Sequence, residues 1–198
     1  MRAVTTLPSG YRSSRTITFS HNPWLLIGLN LAGMVLFVAF GLLFLFLAAH
    51  LSPAFTGSES GMLSGWGLLV ILGVFIASIP FTMIVHELIH GLFFWIFTRK
   101  RPSYGFKGLY AYAAAPDFYI PRNQFILIGL APFVVISLVG VALLPLTTLG
   151  VALTIVFILT MNAAGAIGDF YAVGILLTRP SATLIRDFGD GMACYQPE

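Results

Sequence analysis

The stretch from Val85 to Phe94, "VHELIHGLFF", sets two histidines and a glutamate inside five residues of an otherwise apolar run. On a helix His86 and His90 project from one face a turn apart, where both can reach a single metal ion. Glu87, offset by about 100°, can reach a water on that ion without ligating it. The pattern is H-E-x-x-H, in which the imidazoles hold zinc at about 2.0–2.1 Å and the glutamate acts as general base. Two histidines leave such a site one protein ligand short, so a third must come from elsewhere in the chain.

Few residues could supply it. Apart from His50, which closes the first apolar run, the ionisable residues within the apolar runs are His86, Glu87, His90 and Asp169. Each is costly there, since a charge at mid-bilayer costs at least about 2.5–3.5 kcal/mol, and such residues are functional candidates by default. His90 lies nine residues before the basic residue Arg99, and Asp169 ten before Arg179. At about 1.5 Å per helical residue both sit roughly 14–15 Å from their basic anchors, so Asp169 is at the right depth to complete the site. Asn162, seven residues before Asp169, falls on the same helical face and can point its amide at the same cleft. The neighbouring Ala163, Ala164, Gly165, Ala166 and Gly168 allow close helix approach.

The elements that must position these residues are read from composition. Of 198 residues 58 % are hydrophobic and 9 % charged, with a mean hydropathy of +0.95. That balance excludes an ordinary soluble domain and points to an all-α integral membrane protein. Four apolar stretches predict four transmembrane helices, at about 24–49, 66–97, 124–146 and 148–177, in a single membrane domain over 1–198. All ten basic residues lie outside them: Arg2, Arg12 and Arg15; Arg99, Lys100, Arg101, Lys107 and Arg122; Arg179 and Arg186. The positive-inside rule therefore puts both termini (1–23 and 178–198) and the loop at 98–123 in the cytoplasm. Trp24, Trp66 and Trp95 read as interfacial anchors, and His21 and His50 as interfacial rather than ligating. In the loop, Tyr and Phe residues with Gly105 and Gly108 as breaks permit a short β-hairpin.

The net charge of +3 sits at helix ends rather than on an aromatic-studded groove, so the lipid bilayer, and no nucleic acid, is the expected partner of the basic residues. The polar first twenty residues and the long first apolar run argue against a cleaved signal peptide. The single cysteine, Cys194, excludes an intrachain disulfide framework.

"HELIH" late in an apolar helix, with an Asn followed seven residues later by an Asp among small residues, resembles the intramembrane zinc metalloproteases of the site-2 protease type. It resembles more closely a compact family of bacterial four-span zincin-type proteins of unknown function. The resemblance implies Zn2+ as cofactor, His86, His90 and Asp169 as metal ligands, Glu87 as catalytic base and Asn162 as a substrate-binding group. It also implies a membrane-protein or peptide substrate cut near the cytoplasmic side, and a prokaryotic inner or plasma membrane location. The segment "YAYAAAP" at Tyr110–Pro116 corresponds to the edge strand that pairs with unwound substrate in such proteases. Here the later motif reads "NAAGAIGDF", without the usual proline and with Phe170 where glycine would follow.

The residues leave other readings open. The polar cluster could pair internally, Asp169 with a histidine in a proton or ion pathway, and Asn162 could be interhelical glue. A non-hydrolytic metal-binding transporter or sensor predicts that Glu87→Gln is silent, and a vestigial protease acting as an assembly partner predicts that His86→Ala is tolerated. Two histidines and a carboxylate also suit iron or manganese. Oligomeric state is not legible.

Overall fold

The computed structural model describes residues 2–18, 22–55, 66–107, 110–189 and 191–198. His21, Gly108 and most of the expected loop between the first two apolar runs lie outside these, as do the side chains of Trp66, Lys107 and Tyr110. The element order is β1 (Tyr11–Thr18), α1 (Pro23–Leu51), α2 (Trp66–Thr98), β2 (Ser103–Lys107), β3 (Tyr110–Ala114), β4 (Ile120–Pro121), α3 (Arg122–Leu143), α4 (Leu149–Gly165), α5 (Ile167–Leu177), β5 (Leu184–Asp187) and β6 (Gly191–Pro197).

Three helical segments, Pro23–Leu51, Leu68–Thr98 and Arg122–Leu146, are long and apolar enough to cross a membrane, and the pair α4 and α5 passes the same test together. The protein is thus a membrane protein by its helices. Their outward residues are themselves apolar, Leu31, Met34, Val35, Leu42 and Leu138 among them, which is what a lipid-facing surface requires and a water-facing one does not. Local signals set the ends. Asn22 caps α1 by accepting the Leu25 N–H at 3.1 Å, with Pro23 at the first helical position. At the other end of α2, Arg99 takes a left-handed conformation (φ 57°) and Pro102 follows, so the helix cannot continue.

Two expectations are corrected. The fourth apolar run is not one helix over 148–177: it breaks at Ala166, and α4 and α5 are bent by 45° there. The break falls in a stretch of small residues, and no described atom beyond the local backbone lies within 4 Å of the Cβ positions of Gly165 and Gly168. Nor is the protein all-α. The segments expected as plain tails supply β1, β5 and β6 of a four-stranded antiparallel sheet in the order β1-β6-β5-β4, and the loop supplies β4 as well as the separate hairpin β2-β3, with Tyr104 opposite Ala113.

The chain divides into two compact units. The first comprises residues 1–30, 87–132 and 168–198. Its core joins Ile17, Ile120, Ile185, Met192 and Cys194 of the sheet to Phe94, Phe125, Ile128 and Leu176 of the helices. The second comprises residues 31–86 and 133–167, and is built on Phe44, Ala48, Leu144, Ala152, Val156, Leu159 and Ala163. In it, small residues let helices touch: a Cβ on Gly140 would lie 2.5 Å from Leu159 Cδ2, and one on Gly41 3.4 Å from Thr160 Cγ2. Because Leu159 is fully buried it has nowhere to retreat. Gly140→Val should therefore cost about 1–3 kcal/mol, read as a lowered thermal midpoint in detergent, whereas Gly165→Ala should not lower it.

Candidate metal centre

The division between the units falls within α2, just after His86, and the helix runs through it unbroken, so the one-turn spacing of His86 and His90 is set by the helix itself. His86, His90 and Asp169 each offer one ligand atom, all within 4.8 Å of one another, and the group could hold a metal ion. His90 is buried, and its Nε2 stands 3.4 Å from Asp169 Oδ2. Asp169 lies in the first turn of α5, just after the break at Ala166, where the helix dipole favours negative charge.

The other nitrogen of each imidazole is already committed. His90 Nδ1 donates to the backbone carbonyl of Ile128 at 3.0 Å, and His86 Nδ1 donates to Asn162 Oδ1 at 2.9 Å. With the proton on Nδ1, each ring presents the Nε2 lone pair, the arrangement that an acceptor behind the ring imposes on metal-binding histidines. The Ile128 carbonyl can serve because Pro132 stands four residues on in α3 and has no N–H to donate back to it. Pro132 is a site-building residue that motif reading misses. Its signal is a proline inside an apolar run, which releases a carbonyl one turn earlier. Asn162, expected as a substrate-binding group, has its amide oxygen on His86.

Two imidazoles and one carboxylate fit zinc, which takes such donors in a four-coordinate shell and leaves the fourth position open in catalytic sites. The carboxylate of Glu87 belongs to the turn between the two histidines and is half-buried.

A further acid stands near this group. Asp187, at the end of β5, has its carboxyl pushed up to about 7. Burial is the largest cause, opposed by the Gly189 N–H and His90 and reinforced by the charges of Asp169 and Glu87. Its Oδ1 accepts the Gly189 N–H at 2.8 Å, in a turn where Gly189 has φ +79° and the Tyr112 ring covers its Cα. No motif marks this residue.

Asn162→Ala should weaken zinc binding about 10- to 100-fold in a protein that still folds, measured by competition with a chelator. The Asp187 carboxyl binds a proton more tightly folded than unfolded, so its contribution is complete below about pH 4 and lost as pH rises through about 7. In metal-free protein, Asp187→Asn should flatten the fall in thermal midpoint between pH 5 and pH 8, because asparagine keeps the acceptor and does not ionise.

No curated protein and no solved structure matches the chain. A family model described as "Putative zincin peptidase" matches residues 79–184, a span that takes in His86, Glu87, His90, Asn162 and Asp169, and the chain belongs to that family.

Proposed function

We propose that the protein is an intramembrane zinc metalloprotease that hydrolyses a peptide bond of a membrane-protein substrate near the cytoplasmic side. The observation that carries this reading is the committed Nδ1 of both histidines beside the Asp169 carboxylate, together with a glutamate in the intervening turn. A pair of histidines serving only to neutralise an aspartate would need no such arrangement of acceptors behind both rings.

His86, His90 and Asp169 would hold the ion. Zinc bound there would supply the electrophilic chemistry, lowering the pKa of a water toward about 7 and polarising a carbonyl. Glu87 takes the proton of the water as its oxygen adds to the scissile carbonyl carbon, then delivers it to the leaving amine as the C–N bond breaks. Asn162 and the Ile128 carbonyl keep the two rings in register through both transfers.

In the membrane, α1, α2, α3 and the broken pair α4–α5 make four crossings, with both termini and the β2-β3 hairpin on the cytoplasmic side of a prokaryotic plasma membrane. The clustering of Arg99, Lys100, Arg101, Arg122, Arg179 and Arg186 at one end of the helices supports that orientation. An extended substrate segment can add to the edge of β3 that β2 leaves open, which exposes peptide bonds that a helix would shield.

The test is zinc per chain, by elemental mass spectrometry on detergent-purified protein, beside hydrolysis of a panel of membrane-anchored peptides. Glu87→Gln should keep about one zinc and lose at least about 100-fold in rate, while His90→Ala and Asp169→Ala should lose the metal. Zinc retained in Asp169→Ala would refute the ligand set. Hydrolysis retained in Glu87→Gln would leave a metal-binding protein in which the glutamate is not the base.

A further inference from the structure

Gly91 follows His90 and lies one turn after Glu87 in α2, an interior position where glycine is less favourable than alanine. The structure gives the reason for it. A Cβ at residue 91 would stand 1.9 Å from the Tyr104 hydroxyl oxygen and 2.6 Å from the ring carbon that bears it. The phenol end of Tyr104 therefore rests directly on the helix backbone beside the histidine motif. Residues four apart on a helix lie on one face, with Cβ positions about 5–6 Å apart, so the hydroxyl sits on the same face as Glu87 and within a side chain's reach of it.

Tyr104 is carried there by β2, whose pairing with β3 fixes it opposite Ala113, a buried residue of the first unit's core. The hydroxyl end is seated while the side chain as a whole remains 53 % exposed, leaving one side of the ring open to an incoming chain. Burial and then the negative charge of Glu87 both raise the pKa of the phenol, which keeps it a hydrogen-bond donor at any physiological pH.

We propose that the Tyr104 hydroxyl is a substrate-contacting group of this centre, donating a hydrogen bond to the scissile carbonyl oxygen as that oxygen takes up negative charge, and that Gly91 is there to admit it. The inference rests on the peptidase reading. It adds to the metal and to Glu87 a donor on the face of α2 that Glu87 occupies, where developing charge is worth stabilising. No proton is transferred by the phenol: it donates a hydrogen bond and stays neutral.

The experiment uses full-length zinc-loaded protein and acetohydroxamic acid, a small metal-directed probe whose oxygens occupy the position of the reacting carbonyl and whose binding needs no side-chain recognition. Zinc content and calorimetric affinity are measured for wild type, Tyr104→Phe and Gly91→Ala. Tyr104→Phe keeps the ring, so a packing role predicts unchanged affinity, whereas the donor role predicts a loss of about 10- to 100-fold with zinc unchanged. Gly91→Ala displaces the end of a flexible side chain rather than backbone, so it should fold, hold zinc and show the same loss. Equal affinity in Tyr104→Phe and wild type, or a zinc-loaded wild type that does not bind the probe, overturns the assignment of Tyr104. A folded wild type without zinc overturns the reading of the centre instead.

Discussion

An imidazole buried among apolar side chains must find an acceptor for its N–H, because an unpaired polar group there forfeits about 1–3 kcal/mol. In this protein the need is met twice at adjacent turns of α2, and by different means. Asn162 gives a side-chain oxygen to His86, and Ile128 gives a main-chain oxygen to His90. A main-chain oxygen inside a helix is normally spoken for; Pro132 withholds the N–H that would have claimed it. Each ring is thereby turned so that its second nitrogen is available, and Asp169 lies against one of them. The helices that carry the acceptors are accordingly part of the site, although neither acceptor touches an ion.

The sheet and the hairpin bear on the same end of the chain's helices. Ile17, Ile185 and Met192 share one core with Phe94, a turn beyond His90, and with Ile128, whose carbonyl holds His90. Packing of this kind is not plastic, since interiors are filled to crystal-like density and change state in steps. The strands therefore limit how far α2 and α3 can shift where the His90 hydrogen bond is made, and Gly189 and Gly105 let Tyr112 wedge between the two β elements of that unit.

What could be read in the sequence followed from cost. His86, Glu87, His90 and Asp169 stand out because an apolar run does not carry ionisable groups without cause, and counting residues from Arg99 and Arg179 was enough to bring His90 and Asp169 to one depth. The hairpin was legible from its aromatic content and its glycines. The four-stranded sheet was not, because β1 pairs with β6 and β4 with β5, partners that are distant in the chain, so no local pattern announces them. The break at Ala166 was hidden by hydropathy, which is as high after it as before it. Asn162 was found as a polar residue on the face of Asp169, but its hydrogen bond to His86 could be read only from geometry. Pro132 and Asp187 carry no motif at all: the first acts by an absent proton, the second by where a turn places it.

The pairing of β1 with β6 also fixes an order of events. Ile17 finds its partner Met192 only after every apolar helix has been made, so the strand that precedes α1 waits, unpaired, through the synthesis and insertion of all of them. Because the core shared by Phe94 and Ile128 includes residues from both strands, the hydrogen bond that orients His90 cannot be fully supported until β6 arrives. A nascent chain can thus carry His86, Glu87, His90 and Asp169 and still lack the strand pairing that packs against Phe94 and Ile128. Closure of the sheet is the event that completes the core around the hydrogen bond from His90 to Ile128.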